Sequence, residues 1–416
     1  MKYTVLYIFF FILFVFIHYI EGITLMGSLS MAQLWKIPLL AFLIFKCVSS
    51  IRRRVSFEKF GCLFSLETLL SPETIVNPTR AIVKFSKQLP LILFFGYWMG
   101  YFRGKARSLE TILYAFAQFT ILSALLVFLG IVEPLKAPML ADAIIDGGSY
   151  FTGIFLTPHS AASYFSIALL ILIHGIKTKY FHGLFQKTFN LFLVGVGLYS
   201  LFQAYVRTGW LMFMVSLLAF FNLKRITYKQ LLTLIISLFV AVGSLTYLFN
   251  NNEAFHARMT GQNKYTGSGG SNIELEGSGR TDFWKTGLTN YVKNDLYRLV
   301  FGSGLTKVAK DNLKENGNPV FSHSQFVDAL VQHGIVGLIL LLCYYKTIYS
   351  FIRKFGRGSP YQNLSYSIFW GGIVFAAFQE EYQFNYAFLF SIVLFLMYTI
   401  KVSNTSNISN HESSSN

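Results

Sequence analysis

The chain has 416 residues, 54% of them hydrophobic and 18% aromatic, with only 13% charged. A soluble domain of this size needs far more charge to cover its surface, so the soluble classes are excluded. The net charge of +16 falls in short basic runs between apolar blocks, a pattern of membrane topology rather than of a nucleic-acid partner.

The first apolar block, Thr4 to Ile20, reads as a retained span, because Glu21-Gly22-Ile23 is not a small-residue cleavage site. Further spans are predicted at about 34–51, 60–76, 86–102, 109–132, 153–174, 188–206, 208–223, 231–249, 334–352, 363–379 and 384–400. The segment at 60–76 carries Glu67, Glu73 and a proline, so a half-span or re-entrant segment is an alternative to a full crossing there. Cys47, Cys62 and Cys343 lie in or beside apolar segments without paired spacing, which points to neither a disulfide framework nor a zinc site.

Orientation follows from the basic loops. Arg52-Arg53-Arg54, Arg103/Lys105/Arg107, Lys177/Lys179/Lys187, Lys224/Arg225/Lys229 and Arg353/Lys354/Arg357 follow spans two, four, six, eight and ten, so the positive-inside rule makes that side cytoplasmic. Arg80, Lys84 and Lys87 are the exception, landing outside if the third span is a full crossing. The expected organisation is a membrane domain at 1–249, an exported loop at 250–333, a second membrane stretch at 334–401 and a disordered tail at 402–416. The loop opens with a Gly/Ser/Asn run, Thr266 to Asn272, too poor in apolar residues to pack. Its second half has apolar residues at helical spacing and is expected to form amphipathic helices over the membrane mouth.

Three places on the exported side can carry chemistry. Arg207 interrupts a nearly continuous apolar stretch from Thr188 to Leu223, long enough for two spans, so the chain is expected to reverse near Arg207-Thr208-Gly209. An arginine there runs against the charge rule; it is either functional or a snorkelling side chain. Arg280 follows a Gly-Ser-Gly lead and precedes Thr281-Asp282, which resemble an N-cap and first-turn acid for a helix beginning near Phe283. Fork donors beside free backbone N–H groups suit a phosphate, whereas an Arg280–Asp282 surface pair is the plainer alternative. His323 stands just before a helix that runs into span ten, with Gln325, Asp328 and Gln332 on its polar faces; it is a candidate general base or simply an exposed histidine. His333 reads as interfacial.

These motifs occur in a recognisable order: Arg207 in an R-x-G-W turn, Arg280 and Trp284 in G-R-x-x-x-W, the glycine hairpin Phe301-Gly302-Ser303-Gly304, then His323-Ser324 and His333-Gly334-Ile335-Val336-Gly337-Leu338. Together they resemble the family of O-antigen polymerases, O-antigen ligases and related capsule polymerases, over roughly Gly153 to Leu342. The GIFLTPH stretch at the start of span six is similar to the family's G-x-F-x-x-P-N segment, with His159 replacing the asparagine, and Ser324 stands where many members have asparagine. The resemblance implies an all-α, GT-C-like polytopic membrane protein in the bacterial cytoplasmic membrane. It implies glycosyl transfer from an undecaprenyl-diphosphate-linked glycan to a growing glycan (polymerase) or to lipid A–core (ligase). Membrane lipid and a chain-length regulator are further implied partners. By the same resemblance Arg207 and Arg280 hold the lipid diphosphate, Trp284 and Gln325 line the substrate site, and His323 activates or positions the acceptor hydroxyl. No cofactor is expected, and with no Asp-x-Asp pair in the loop no metal site is evident. A flippase or transporter of lipid-linked sugars fits less well, since no pseudo-symmetric halves are visible.

Overall fold

The computed structural model describes residues 2–21, 24–26, 29–48, 56–102, 104–135, 151–221, 250–251, 280–316, 322–379 and 384–413. Among them the chain is helical, apart from a short antiparallel pairing of Thr24–Met26 with Leu29–Ser30. Ala106–Phe128, Pro158–Lys177 and Gln325–Gly356 are long and apolar enough to cross a membrane, and shorter apolar helices occupy Val5–Glu21, Arg207–Phe221 and Tyr386–Val402. The chain is thus a helical membrane protein, as its composition requires. The ninth predicted span and the Thr266–Asn272 run lie outside the described residues.

The chain divides into two compact units. The first comprises Met1–Gln33 and Phe116–Gly279, and its central element is the helix Pro158–Lys177, buried almost continuously from Ala161 to Leu172. Helices Leu184–Gln203 and Arg207–Phe221 pack on it. Small residues set the approach: a Cβ on Gly209 would lie 2.5 Å from that of Ala162, and one on Gly197 would meet Leu169 and Ile121 at 2.8 Å. Close backbone approach of this kind is how helices associate where lipid supplies no hydrophobic drive. A polar ladder adds specificity, with the Tyr7 hydroxyl donating to Gln118 at 2.8 Å and the Gln118 amide donating to Asn190 at 2.9 Å.

The second unit comprises Leu34–Ala115 and Arg280–Asn416. Its longest helix, Gln325–Gly356, packs chiefly against Ser56–Glu67 and then against Leu296–Phe301 and Gln362–Phe378, while Pro90–Tyr101 packs against Phe384–Ser413. Phe57, Phe95 and Phe351 form an edge-on aromatic cluster with centroids 4.9–5.4 Å apart. Trp98 donates to Ser391 at 2.8 Å.

The doubtful third span is broken. Helix Ser56–Glu67 ends in a 3-10 turn, Thr68–Leu70, followed by the four-residue helix Glu73–Val76 and then Pro78–Gln88. A helix of 12 residues rises only about 18 Å, short of the roughly 30 Å of hydrocarbon. Pro72, without an N–H, and the two glutamates explain the interruption. The last helix, Phe384–Ser413, reaches into the stretch for which a disordered tail is expected. It contains neither Gly nor Pro, and extending an established helix needs no new nucleus.

Candidate functional site

The polar loop supplies three helices, Arg280–Val292, Leu296–Phe301 and Leu305–Asn316, the first two in the stretch where helical spacing predicts them. Arg280 is already helical, whereas the sequence places an N-cap at Thr281 and the first turn near Phe283. Arginine is the better helix former of the three, so the first turn includes it, and Asp282 is a first-turn acid as expected. The other two helices are capped by carboxylates. Asp295 accepts from the Arg298 N–H at 2.9 Å, and Glu73, from the broken segment, accepts from the Thr306 N–H at 2.6 Å and from the Thr306 hydroxyl.

A backbone lock ties this loop to the longest helix. Gly302 and Gly304 have φ of 80° and 76°, a left-handed region that glycine alone enters freely. The turn they make lets Ser303 N–H donate to Val331 C=O at 2.9 Å and Gly304 N–H donate to Gln332 C=O at 3.1 Å. Those carbonyls accept from the hairpin because Gly334, with φ 70° and ψ −171°, breaks the helical path just beyond them. A Cβ on Gly302 would sit 2.1 Å from the Gln332 carbonyl oxygen, and one on Gly334 would sit 2.2 Å from that of Val300. The glycines of the hairpin and of the His333-Gly334 motif therefore serve one contact.

His323 stands one residue before the N-cap of this helix. Ser324 caps it, its hydroxyl accepting from the Val327 N–H at 3.5 Å. His323 itself has φ 53°, an uncommon conformation for a residue with a side chain and one that clusters at functional sites. Trp284 holds the turn: its indole N–H donates to the Ser322 carbonyl at 2.5 Å, and its ring lies 6.2 Å from that of Phe378. Burial and, secondarily, the positive charge of Arg280 push the His323 imidazole down from an ordinary 6.5 to about 4. The ring is therefore neutral at neutral pH, and Arg280 is within electrostatic reach of it. Gln325 is turned inward, accepting from the Tyr345 hydroxyl at 2.9 Å, while its N–H donates to Gln379 C=O at 3.2 Å. Trp284 and Gln325 thus have internal partners beside the site expected of them.

Beneath the turn lies a polar cluster whose partnerships the sequence does not reveal. His333, read as interfacial, is buried, with Nδ1 2.9 Å from Oε2 of the equally buried Glu67. Gly334 explains the difference, since the kink it makes turns the preceding residue into the helix packing. Lys84 donates to the side-chain carbonyl of Gln332, whose amide donates to Asp328 at 2.8 Å. The signal was present as anomalies: acids in an apolar segment and a basic residue on the wrong side of the charge rule.

Arg207 belongs to the first unit. The helix Leu184–Gln203 ends, Tyr205 takes φ 50°, and a new helix begins at Arg207, so the reversal lies just before the predicted Arg207-Thr208-Gly209. The arginine is exposed, while Thr208 and Gly209 behind it are buried. In the same unit Thr157 caps the helix Pro158–Lys177, accepting from the Ser160 N–H at 3.1 Å, which places His159 in the first turn. Among the described residues no three His, Cys, Asp or Glu side chains are grouped to hold a metal ion.

These features define a helical membrane protein whose polar loop is locked to its longest helix so that an arginine lies within electrostatic reach of a neutral histidine. Residues 191–342 match the family described as O-antigen ligase, and Arg207, Arg280 and His323 fall within the matched stretch. No curated protein matches the chain.

Proposed function

We propose that this protein moves a glycan from undecaprenyl diphosphate to a second lipid-linked glycan, polymerising surface-polysaccharide repeats at the outer face of the bacterial cytoplasmic membrane. The observation that carries the reading is a left-handed His323 at a turn clamped by Trp284, with Arg280 within electrostatic reach. An acceptor hydroxyl attacks the anomeric carbon and gives its proton to His323, while the bond from that carbon to the diphosphate oxygen breaks. Negative charge grows on the departing diphosphate, where Arg280 neutralises it, and Arg207 contributes to holding the donor. An imidazole pushed down to about 4, chiefly by burial, is neutral and free to accept a proton but is a weak base; a bound diphosphate offsets only the smaller contribution, the field of Arg280. Trp284 holds the turn, and Gln325 supports the helix that carries it.

The deciding experiment mixes radiolabelled lipid-linked repeat with purified protein in detergent. Longer glycans without any other acceptor support the polymerase. Transfer only after addition of lipid A–core identifies a ligase, and absence of both products leaves a carrier of lipid-linked sugars. Since the loop holds no Asp-x-Asp pair, chelation is expected to leave the rate unchanged; loss on chelation with recovery on added magnesium or manganese would sink metal independence. A cysteine placed within Thr266–Asn272 is expected to react with an impermeant thiol reagent from the outer face. Labelling only after the membrane is opened reverses the orientation.

A further inference from the structure

A largely buried hydrogen-bond chain ends at the residue before the candidate base. Lys84, on the amphipathic helix Pro78–Gln88, donates to the side-chain carbonyl of Gln332. The Gln332 amide donates to Asp328 Oδ1 at 2.8 Å, and the Ser322 peptide N–H is directed at the same carboxylate, while the Ser322 hydroxyl donates to the Ser324 carbonyl at 3.2 Å. On its other side the Ser322 peptide offers its carbonyl to the indole of Trp284. Ser322 is therefore gripped from both faces, and the next residue is His323 in its left-handed conformation.

The order of donors is consistent along the chain. An ammonium at one end and a carboxylate at the other are bridged by one primary amide, which can use its oxygen toward the cation and its nitrogen toward the anion in one orientation only. Gln332 and Asp328 are buried, where each hydrogen bond made adds rigidity and each one lost is costly. Without Lys84 the Gln332 oxygen loses its donor and Asp328 loses the cation whose charge reaches it. The grip on the Ser322 peptide then weakens, and the strained φ of His323 is released.

Resting on the reading of His323 as the proton acceptor, we propose that Lys84 is a positioning residue for that histidine, acting through Gln332 and Asp328 on the peptide of Ser322. It touches neither donor nor acceptor, so its loss acts on the chemical step and not on donor binding.

The test uses the full-length protein in detergent with lipid-linked repeat extracted from the producing cells. Lys84→Met should lower kcat by on the order of a hundredfold, the penalty for a displaced catalytic group, with the donor KM unchanged. Lys84→Arg, which keeps a cationic donor, should restore most of the rate. Placed on His323→Ala, Lys84→Met should cause no further loss, because a residue acting only through His323 has nothing left to position. Losses that multiply in the double variant, or a normal kcat in Lys84→Met beside a slow His323→Ala, overturn this proposal alone. A His323→Ala protein that turns over at the full rate removes the base reading and this proposal with it. Should Lys84→Met not reach the membrane, Asp328→Asn interrupts the chain one link nearer the histidine and must show the same kcat loss at unchanged KM; a normal kcat there also overturns the proposal.

Discussion

Two arginines, each in the first turn of a helix, stand in very different surroundings. Arg207 follows a left-handed Tyr205 and is exposed, and the residues behind it are small and packed, with Gly209 pressed on Ala162. Arg280 opens a helix whose Trp284 reaches the Ser322 carbonyl and whose charge is felt by His323. The first setting is built from close helix packing and makes the arginine a terminal feature of a corner. The second is built from hydrogen bonds and sets the arginine within electrostatic reach of a histidine. Residue type and position at a helix start are the same in both, so the difference in role is carried by what the neighbouring backbone is made to do.

The sharpest way to break this comparison is to change both arginines to lysine. Arg280→Lys keeps the charge but loses the planar two-point contact, and the barrier should rise by about 2–4 kcal/mol, roughly a hundredfold or more in rate. Full-length glycan from cells carrying Arg280→Lys at normal membrane levels would remove it from the site. Next in size is the lock beneath it. Gly334→Ala forces a side chain into a left-handed position, about 1–3 kcal/mol of strain, and also drives a Cβ against the Val300 carbonyl. Gly358→Ala is the control, since Gly358 has φ 84° with open space around it. Thermal unfolding in detergent should show the larger loss for Gly334→Ala, and equal losses would mean that the hairpin contact contributes nothing.

Much of this was legible from apolar run lengths and helical spacing, because both follow from burial in lipid or against a core. Helices lie in the Asp282–Gly302 stretch and directly after His323 because spacing and capping are local properties. Glu67 and Lys84 stood out only as violations, since a sequence shows that a charge is in an unfavourable place and not which residue relieves it. The partner of Lys84 is 248 positions away. Gly334 could be read as easing the start of a span, but its left-handed kink exists only because the Gly302 hairpin docks there. That contact depends on two backbones approaching, and no side-chain pattern records it. Gln325 turned inward for the same reason: helical spacing places it on a polar face, and the hydroxyl of Tyr345, 20 positions on, is what that face meets.

The pH dependence separates the two arginines by sign. An imidazole pushed to about 4 stays neutral down to that pH, so the acid limb of kcat/KM should lie near 4 and not at the ordinary 6.5. Replacing Arg280 by glutamine removes a positive charge that disfavours the imidazolium, and the limb should move to higher pH. The same replacement at Arg207 should leave it in place. Stability follows the matching direction: with the folded value depressed below the unfolded one, the contribution of His323 is present above 6.5 and is lost as pH falls through 4. Histidine-ring NMR of the Arg280→Gln protein reads the shift directly, and an unmoved imidazole would show that Arg280 does not act on His323.

The smallest expected effect is that of Arg207→Lys, and it tests the comparison at its weakest side. An exposed guanidinium works in a high-dielectric setting, where each contact to a diphosphate is worth less than the same contact in a buried one. Loss of the planar fork should therefore raise the donor KM by roughly fivefold while leaving kcat near normal, because lysine still supplies the charge. Arg207→Gln, which removes the charge as well, should raise KM further in the same direction. A snorkelling arginine behaves otherwise: lysine replaces it without effect, and glutamine lowers membrane insertion or stability while the donor KM of the surviving protein is unchanged. Donor KM and membrane level measured on the same two variants thus distinguish a carrier-binding corner from an interfacial anchor. If the anchor pattern is found, the diphosphate is held from the loop alone, and the two helix-start arginines share a position in their helices without sharing a function.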